Sequence, residues 1–355
     1  MKKIHVHIKN DRRQDYPIFI GVGLLEKINS LIGITKYSKA VIVTDRNIPS
    51  SLVQNLQSAL PIENSIVVLD SGEQNKDLDN VKEVWKILKD QGFDRKSLVI
   101  NLGGGVIGDI GGFAASTFMR GIDFLQIPTT LLAQADASVG GKVGINFLGI
   151  KNLIGTFQQP IAVIIDVNTL STLPQREFIS GFAEIIKHGL IADEKYFKSV
   201  TAKKPQDFSQ EELIEIIEKS CQIKVQFVSQ DEKEGGRRKL LNFGHTIGHA
   251  VEALSQKTNH PLLHGETISI GMIVEGKISN LLDLLSDEEY KRLEQAIIHA
   301  GLPTETSGIK VHEILEKIKS DKKNEKGNTN WTLLKGIGKA IYNQKVEDLI
   351  VRKVL

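Results

Sequence analysis

At 355 residues, with 41% hydrophobic and 25% charged side chains, the chain is too long for one ordinary core and has the make-up of a water-soluble two-domain protein. A net charge of +2 excludes the global bias of a nucleic-acid or membrane-surface binder, and a single cysteine, Cys221, excludes an intrachain disulfide framework and fits a reducing compartment. No apolar run reaches membrane-span length and the start, MKKIHVHIKNDRR, lacks an apolar signal core, so the expected location is cytoplasmic.

In chain order, residues 4–8 alternate and read as a strand, 16–21 as a second, and 24–31 as a short helix. Residues 39–44 (KAVIVT) are β-branched and apolar, as expected of a strand buried on both faces, and end at Asp45. A helix over 48–60, a strand over 65–69, the polar turn 70–76 and an amphipathic helix over 77–91 follow. A strand over 97–102 runs into Gly103-Gly104-Gly105-Val106-Ile107-Gly108-Asp109, and further strands cover 122–127 and 161–166. Strands alternating with helices predict an α/β domain over 1–173 with a parallel, Rossmann-like, doubly wound sheet. From the turn Leu173-Pro174 onward the spacing is helical over 175–192, 209–230, 240–255, 266–284, 287–300 and 311–319, with one strand-like stretch at 329–334. Residues 174–355 therefore read as an all-α domain.

Residues 103–108 spell G-x-G-x-x-G after a strand and at the start of a helix, where free amides bind phosphate oxygens. The alternative is tight helix–strand packing, which Gly111 and Gly112 also suit. Asp45 reads either as an acceptor for a ribose hydroxyl, favouring NAD over NADP, or as the cap of the helix over 48–60. His245 and His249 lie four apart, so they share a helix face one turn apart. They read as two metal ligands whose third partner is His264 or a carboxylate from elsewhere, or as an ordinary histidine pair. Glu184 and Lys187, three apart, read by spacing alone as a surface ion pair. The run 319–326 reads as a solvated loop. A dinucleotide loop, a metal site and scattered cations together suggest redox or elimination chemistry on an anionic polyol.

A set of motifs narrows this. SGEQNK at 71–76, GGGVIGD at 103–109, FMRG at 118–121, PTTLLAQ at 128–134, DASVGGK at 136–142, Lys151-Asn152, GFAEIIK at 181–187, NFGHTIGH at 242–249 and LHGE at 263–266 follow one another along the chain. In this order they resemble the 3-dehydroquinate synthase family of the sugar phosphate cyclases. Two features depart from its pattern, an additional histidine, His260, and a less typical stretch at 328–335.

The resemblance implies a homodimer with its site in a cleft between an NAD-binding domain and a helical metal domain. It implies Zn2+ or Co2+ held by Glu184, His245 and His264, with His249 handling protons beside the metal. NAD contacts carry over to Asp45, to Ser71, Gly72, Glu73, Gln74, Asn75 and Lys76, and to Gly104, Gly105, Val106, Ile107, Gly108 and Asp109. They continue with Thr129, Thr130, Lys142, Lys151, Asn152, Thr169, Leu170, Ser171 and Thr172. Substrate contacts carry over to Asp136, Lys142, Lys187, Lys224, Arg238 and Asn242, with Arg120 reaching the phosphate from the partner subunit and one of Lys322 and Lys323 joining them. The implied reaction converts 3-deoxy-D-arabino-heptulosonate 7-phosphate to 3-dehydroquinate and phosphate, through transient oxidation at C5, phosphate loss, reduction, ring opening and aldol closure. A related cyclase such as 2-deoxy-scyllo-inosose synthase, a metal-dependent polyol dehydrogenase and a nucleotide-binding protein without chemistry are the alternatives. The intact Glu184, His245 and His264 set weighs against the last.

Overall fold

The computed structural model describes residues 1–8, 15–306, 308–320 and 329–355. Lys322 and Lys323 lie outside the described residues. The chain divides into two compact units, Met1–Leu173 with Leu213–Ser229, and Pro174–Glu212 with Gln230–Leu355.

The first unit contains β1 (Lys2–Val6), β2 (Tyr16–Gly21), β3 (Ala40–Asp45), β4 (Asn64–Leu69), β5 (Leu98–Gly103), β6 (Asp123–Pro128), β7 (Lys142–Phe147), β8 (Ile150–Phe157) and β9 (Ala162–Asp166). Seven of these form one sheet in the order β1-β2-β9-β6-β5-β3-β4, parallel except for the edge pair β1–β2. Helices α1 (Ile28–Ile32), α2 (Ser50–Ala59), α3 (Leu78–Asp90) and α4 (Gly105–Thr117) are interspersed among the strands. Alternate residues of the central strands point to opposite faces. Ile42 and Ile100 join one buried cluster with Leu56 and Ile164, while Val43 and Val99 join the other with Val84, Leu88, Ile110 and Phe124. After β4 the chain returns past β3 to lay down β5 on its other side. Such a reversal opens a crevice at the carboxyl ends of the strands, where ligands of open α/β sheets bind.

Strands β7 and β8 form a separate antiparallel hairpin that the residue pattern did not announce. Its turn uses Leu148 (φ 51°) and Gly149 (φ 73°), and leucine in left-handed backbone is not a recognisable hairpin signal.

The remaining helices are α5 (Gln175–Ala192), α6 (Glu194–Val200), α7 (Gln210–Gln230), α8 (His245–Ser255), α9 (His264–Leu281), α10 (Asp287–His299), α11 (Val311–Ser320) and α12 (Asp348–Val354). Most of α7, expected with the helical half, belongs to the first unit, because its buried side chains bond there: the Cys221 thiol donates to the Gln134 carbonyl at 3.3 Å and Lys224 Nζ to the Asp136 carbonyl at 2.7 Å. The second unit is helical apart from an antiparallel hairpin of β10 (Trp331–Leu334) and β11 (Ala340–Gln344). Its core gathers Ile247, Val251, Ile270, Val274, Ile278, Ile314, Trp331 and Leu333. Among the described residues no helix is long and apolar enough to cross a membrane.

Candidate active site

In the second unit three helices bring a carboxylate and imidazoles together. Glu184 comes from the middle of α5, His245 from the first turn of α8 and His264 from the first turn of α9, and each offers a ligand atom within 4.8 Å of the others. Glu184 Oε1 lies 3.5 Å from His245 Nε2 and 3.4 Å from His264 Nε2. The carboxylate is 1% exposed, an environment in which an anion needs a cationic partner. Burial works against the His264 imidazolium, yet its hydrogen bonds to Glu184 and Glu252 and their charge push it up to about 9. One carboxylate and two imidazoles in one buried pocket are a donor set that suits a dication such as zinc and leaves positions for oxygen ligands.

Packing sets this arrangement. A Cβ on Gly265 would come within 1.8 Å of the Ser180 carbonyl, so α9 touches the backbone of α5 directly. A Cβ on Gly271 would come equally close to the Gly244 carbonyl in the turn before α8. That turn is left-handed at Gly244 (φ 81°) and is held by Glu275, fully buried, whose carboxylate accepts from the amides of Gly244 at 2.7 Å and Ile247 at 3.1 Å. His249 lies one turn beyond His245, its ring 5.1 Å from that of His245 and 6.0 Å from that of His264. His260 is exposed in the connecting segment and is not part of the group.

The Glu184–Lys187 spacing, which alone reads as a surface pair, is a buried ion pair with both side chains 2% exposed or less. Arg238 and Asn242 lie in the 3-10 stretch Arg237–Asn242. Arg238 is 2% exposed and donates to the Glu232 carbonyl at 2.5 Å, while Asn242 Nδ2 donates to Glu234 Oε1 at 2.5 Å.

In the first unit the residues expected at the nucleotide collect at strand ends. Asp45 closes β3, residues 71–76 follow β4, Gly103 closes β5, Pro128 closes β6 and Thr129-Thr130 follow it. Asp45 does not cap α2; its Oδ1 accepts from the Asn47 amide at 2.8 Å, and burial raises its pKa. The glycines of α4 divide by role. Gly111 answers to packing, since a Cβ there would sit 1.8 Å from Asn101 Oδ1. A Cβ on Gly104 would meet only the Thr130 side chain, at 3.1 Å, and one on Gly105 only the Ala137 side chain, at 3.4 Å, so packing alone does not require both, and their backbone heads the helix after β5. Thr129 Oγ1 is buried there without a hydrogen-bond partner.

Lys76, 4% exposed, pairs with Asp109 and donates to Asn152 Oδ1 at 2.5 Å, tying the 71–76 turn to α4 and the hairpin. Burial raises the Asp109 carboxyl against the pull of Lys76. Lys151 Nζ stands 3.7 Å from Glu73 Oε1. Lys224 pairs with Asp136 Oδ1 at 2.9 Å beside a π-helical turn, Ala133–Ala137. Thr169, Leu170, Ser171 and Thr172 lie in a 3-10 helix after β9, where Thr169 Oγ1 accepts from Gln134 Nε2 at 2.9 Å. Lys142 is exposed at the start of β7, and Arg120 is exposed in left-handed backbone (φ 72°).

Two residues were missed from sequence. Asn146 Nδ2 donates to Glu73 Oε1 at 2.9 Å and its Oδ1 accepts from the Asn152 amide at 2.9 Å, joining two cofactor motifs. Its signal was a lone amide in an otherwise apolar strand. Glu252 faces His264, and its signal was its place seven residues after His245 on the histidine face of α8.

A parallel sheet with a crevice at its strand ends and a helical unit with a Glu-His-His cluster make a fold whose solved neighbours include sugar phosphate cyclases. The structure is similar to 2-deoxy-scyllo-inosose synthase complexed with carbaglucose-6-phosphate, NAD+ and Co2+ (TM-score 0.90, 26% identity, 99% of each chain). It is also similar to 2-epi-5-epi-valiolone synthase from Streptomyces hygroscopicus with NAD+ and Zn2+ bound (TM-score 0.86, 26% identity, 96% of this chain and 95% of that one). Residues 66–180 match the family described as 3-dehydroquinate synthase N-terminal, and residues 181–324 the one described as 3-dehydroquinate synthase C-terminal. The 3-dehydroquinate synthase of Ruminiclostridium cellulolyticum is 41% identical over 354 residues, covering 98% of both chains, and that of Acetivibrio thermocellus is 40% identical over 362 residues, covering 100% of this chain and 99% of that one. The chain belongs to the 3-dehydroquinate synthase family.

Proposed function

We infer that the chain converts 3-deoxy-D-arabino-heptulosonate 7-phosphate to 3-dehydroquinate and phosphate, the shikimate-pathway step of aromatic biosynthesis, with NAD and Zn2+ or Co2+ as cofactors. The observation that carries this reading is the buried Glu184 carboxylate facing His245 and His264, within a chain that matches 3-dehydroquinate synthases over its full length. Residues 1–173, together with Leu213–Ser229 of α7, make the NAD-binding unit, and the rest of 174–355 carries the metal ligands.

Glu184, His245 and His264 hold the dication. When bound, it supplies a Lewis acid that makes a substrate hydroxyl easier to ionise. NAD, when bound, would supply a reversible hydride acceptor. Glu73, Lys76, Asp109, Thr129, Thr130, Lys151 and Asn152 orient the dinucleotide, with the amides of Gly104 and Gly105 toward its phosphates. Lys142, Lys187, Lys224 and Arg238 match an anionic substrate, and Asp136 and Asn242 fix its hydroxyls. His249, beside the metal ligands, holds and moves a proton at its ring nitrogen.

The working form is a cytoplasmic homodimer in which Arg120 reaches the substrate phosphate of the partner subunit, a contact for which guanidinium suits phosphate. Mixing Arg120→Ala with Lys187→Ala subunits then restores activity; none returning after verified subunit exchange counts against the shared site.

The decisive assay is phosphate release from the heptulosonate phosphate with catalytic NAD and added metal. Substrate deuterated at C5 should give product that keeps the label, with no steady accumulation of NADH. Release from glucose 6-phosphate instead would favour the 2-deoxy-scyllo-inosose synthase reading, and NADH rising in step with product would favour a polyol dehydrogenase.

A further inference from the structure

The His264 ring is addressed from both sides. Nε2 faces Glu184 Oε1 at 3.4 Å, and Nδ1 faces Glu252 Oε2 at 3.5 Å. An imidazole that ligates a metal through one nitrogen carries its proton on the other, and the partner of that proton fixes tautomer and ring orientation. His245 already follows this pattern: Nδ1 donates to the Phe243 carbonyl at 3.1 Å, leaving Nε2 toward Glu184. Glu252 is 5% exposed, and burying a carboxylate is costly unless it is paired. It projects from the same face of α8 as His245 and His249.

We propose that Glu252 is a positioning residue that accepts the Nδ1 proton of His264, holds Nε2 toward Glu184 and thereby strengthens metal binding. The negative charge matters as well as the acceptor, because it raises the basicity of the ligating nitrogen. The same side chain also belongs to an overlapping donor group, His249, Glu252 and His264, whose ligand atoms lie within 4.8 Å of one another. In that competing arrangement Glu252 would itself bind a second ion, and the test separates the two.

The inference rests on the reading of Glu184, His245 and His264 as the metal ligands. The full-length protein is stripped with a chelator, and zinc affinity is measured by competition with a chromophoric chelator, alongside the visible spectrum of the cobalt form. Glu252→Gln keeps an acceptor without the charge, and Glu252→Ala keeps neither. Zinc binding should weaken in the order wild type, Gln, Ala, within about 10–100-fold, with one ion per chain throughout and a shifted cobalt spectrum. A purely structural role would lower thermal stability without moving that spectrum, which would overturn the proposal. If the alanine variant fails to fold, the glutamine variant carries the test. Unchanged zinc affinity and cobalt spectrum in Glu252→Gln overturn the proposal, as do two ions per wild-type chain of which Glu252→Gln loses one. His264→Ala is the control: zinc retained at wild-type affinity sinks the metal reading itself, whereas zinc lost there but unchanged in Glu252→Gln sinks only the role of Glu252.

Discussion

Lys76–Asp109 in the first unit and Lys187–Glu184 in the second are lysine–carboxylate pairs built differently, the carboxylate 27% exposed in the first and 1% in the second. In the first, Lys76 reaches both Asp109 and Asn152, so the lysine is the hub and its acceptors belong to neighbouring elements. In the second, Glu184 is the hub, meeting Lys187 from the next turn of its own helix and His245 and His264 from two others. The first pair ties the 71–76 turn to α4 and the hairpin. The second is a carboxylate facing a lysine and two imidazoles, a donor set that would suit a dication. An ion pair therefore has no fixed meaning; what else each partner faces decides whether it braces neighbouring elements or offers a ligand.

Breaking the first pair should have the more lasting effect, since no ion replaces its charge. Lys76→Met leaves the Asp109 carboxylate, 27% exposed, without its cation, which should cost less than the roughly 3–5 kcal/mol of a fully buried pair. Denaturant unfolding should record that loss, zinc should not restore it, and NAD affinity should fall with it. Lys187→Met, at a pair 2% exposed or less, should cost about 3–5 kcal/mol in the metal-free protein. There zinc should recover most of the melting temperature, since the ion replaces the missing charge, while turnover stays low. Recovery by zinc in both variants, or in neither, would erase the contrast.

A third test uses pH. In the metal-free protein the His264 pKa is pushed up to about 9, above the ordinary value of about 6.5. A raised folded pKa means that this group's stabilisation is complete below the unfolded pKa and is lost as pH rises through the folded one. The metal-free melting temperature should therefore lose this contribution between about pH 6.5 and 9. Zinc must displace the same proton, so its affinity should climb over that window and level off above it. The smallest effect belongs to Arg176, half-exposed, which grips Glu266 through two hydrogen bonds of 2.8 Å and 2.7 Å. Arg176→Ala should cost about 1 kcal/mol or less in a denaturant melt.

Much of this was legible from residue order. The β-branched run ending at Asp45 and the amphipathic period of 77–91 correspond to β3 and α3, because burial on both faces or on one leaves different sequence periods. The grouping of Glu184 with His245 and His264 was not legible from spacing, since it depends on three helices meeting. Motif resemblance supplied it as an expectation. The β7–β8 hairpin escaped because its turn places leucine in left-handed backbone, and with it went Asn146, which bonds across that hairpin. Asp45 was open to two readings because a carboxylate after a strand can accept from a ribose hydroxyl or cap the next helix, and only the backbone path shows that it bonds to Asn47 and does not cap α2.

The contact at Gly265 carries one more consequence. Because that residue has no side chain, the first turn of α9 rests against the Ser180 carbonyl, and its amide donates a hydrogen bond to Ser180 Oγ at 3.1 Å. Glu184 lies one turn further along the same α5, and His264 is the residue immediately before the contact. The spacing of the two helices that carry the carboxylate and the imidazole is thus gauged by backbone against backbone, with no side chain between them at this contact to lengthen or shorten it. Side chains elsewhere on these helices can drift without altering the gauge. A single added methyl at Gly265 would reset it, making the smallest residue in the motif the one that calibrates the distance between its ligands.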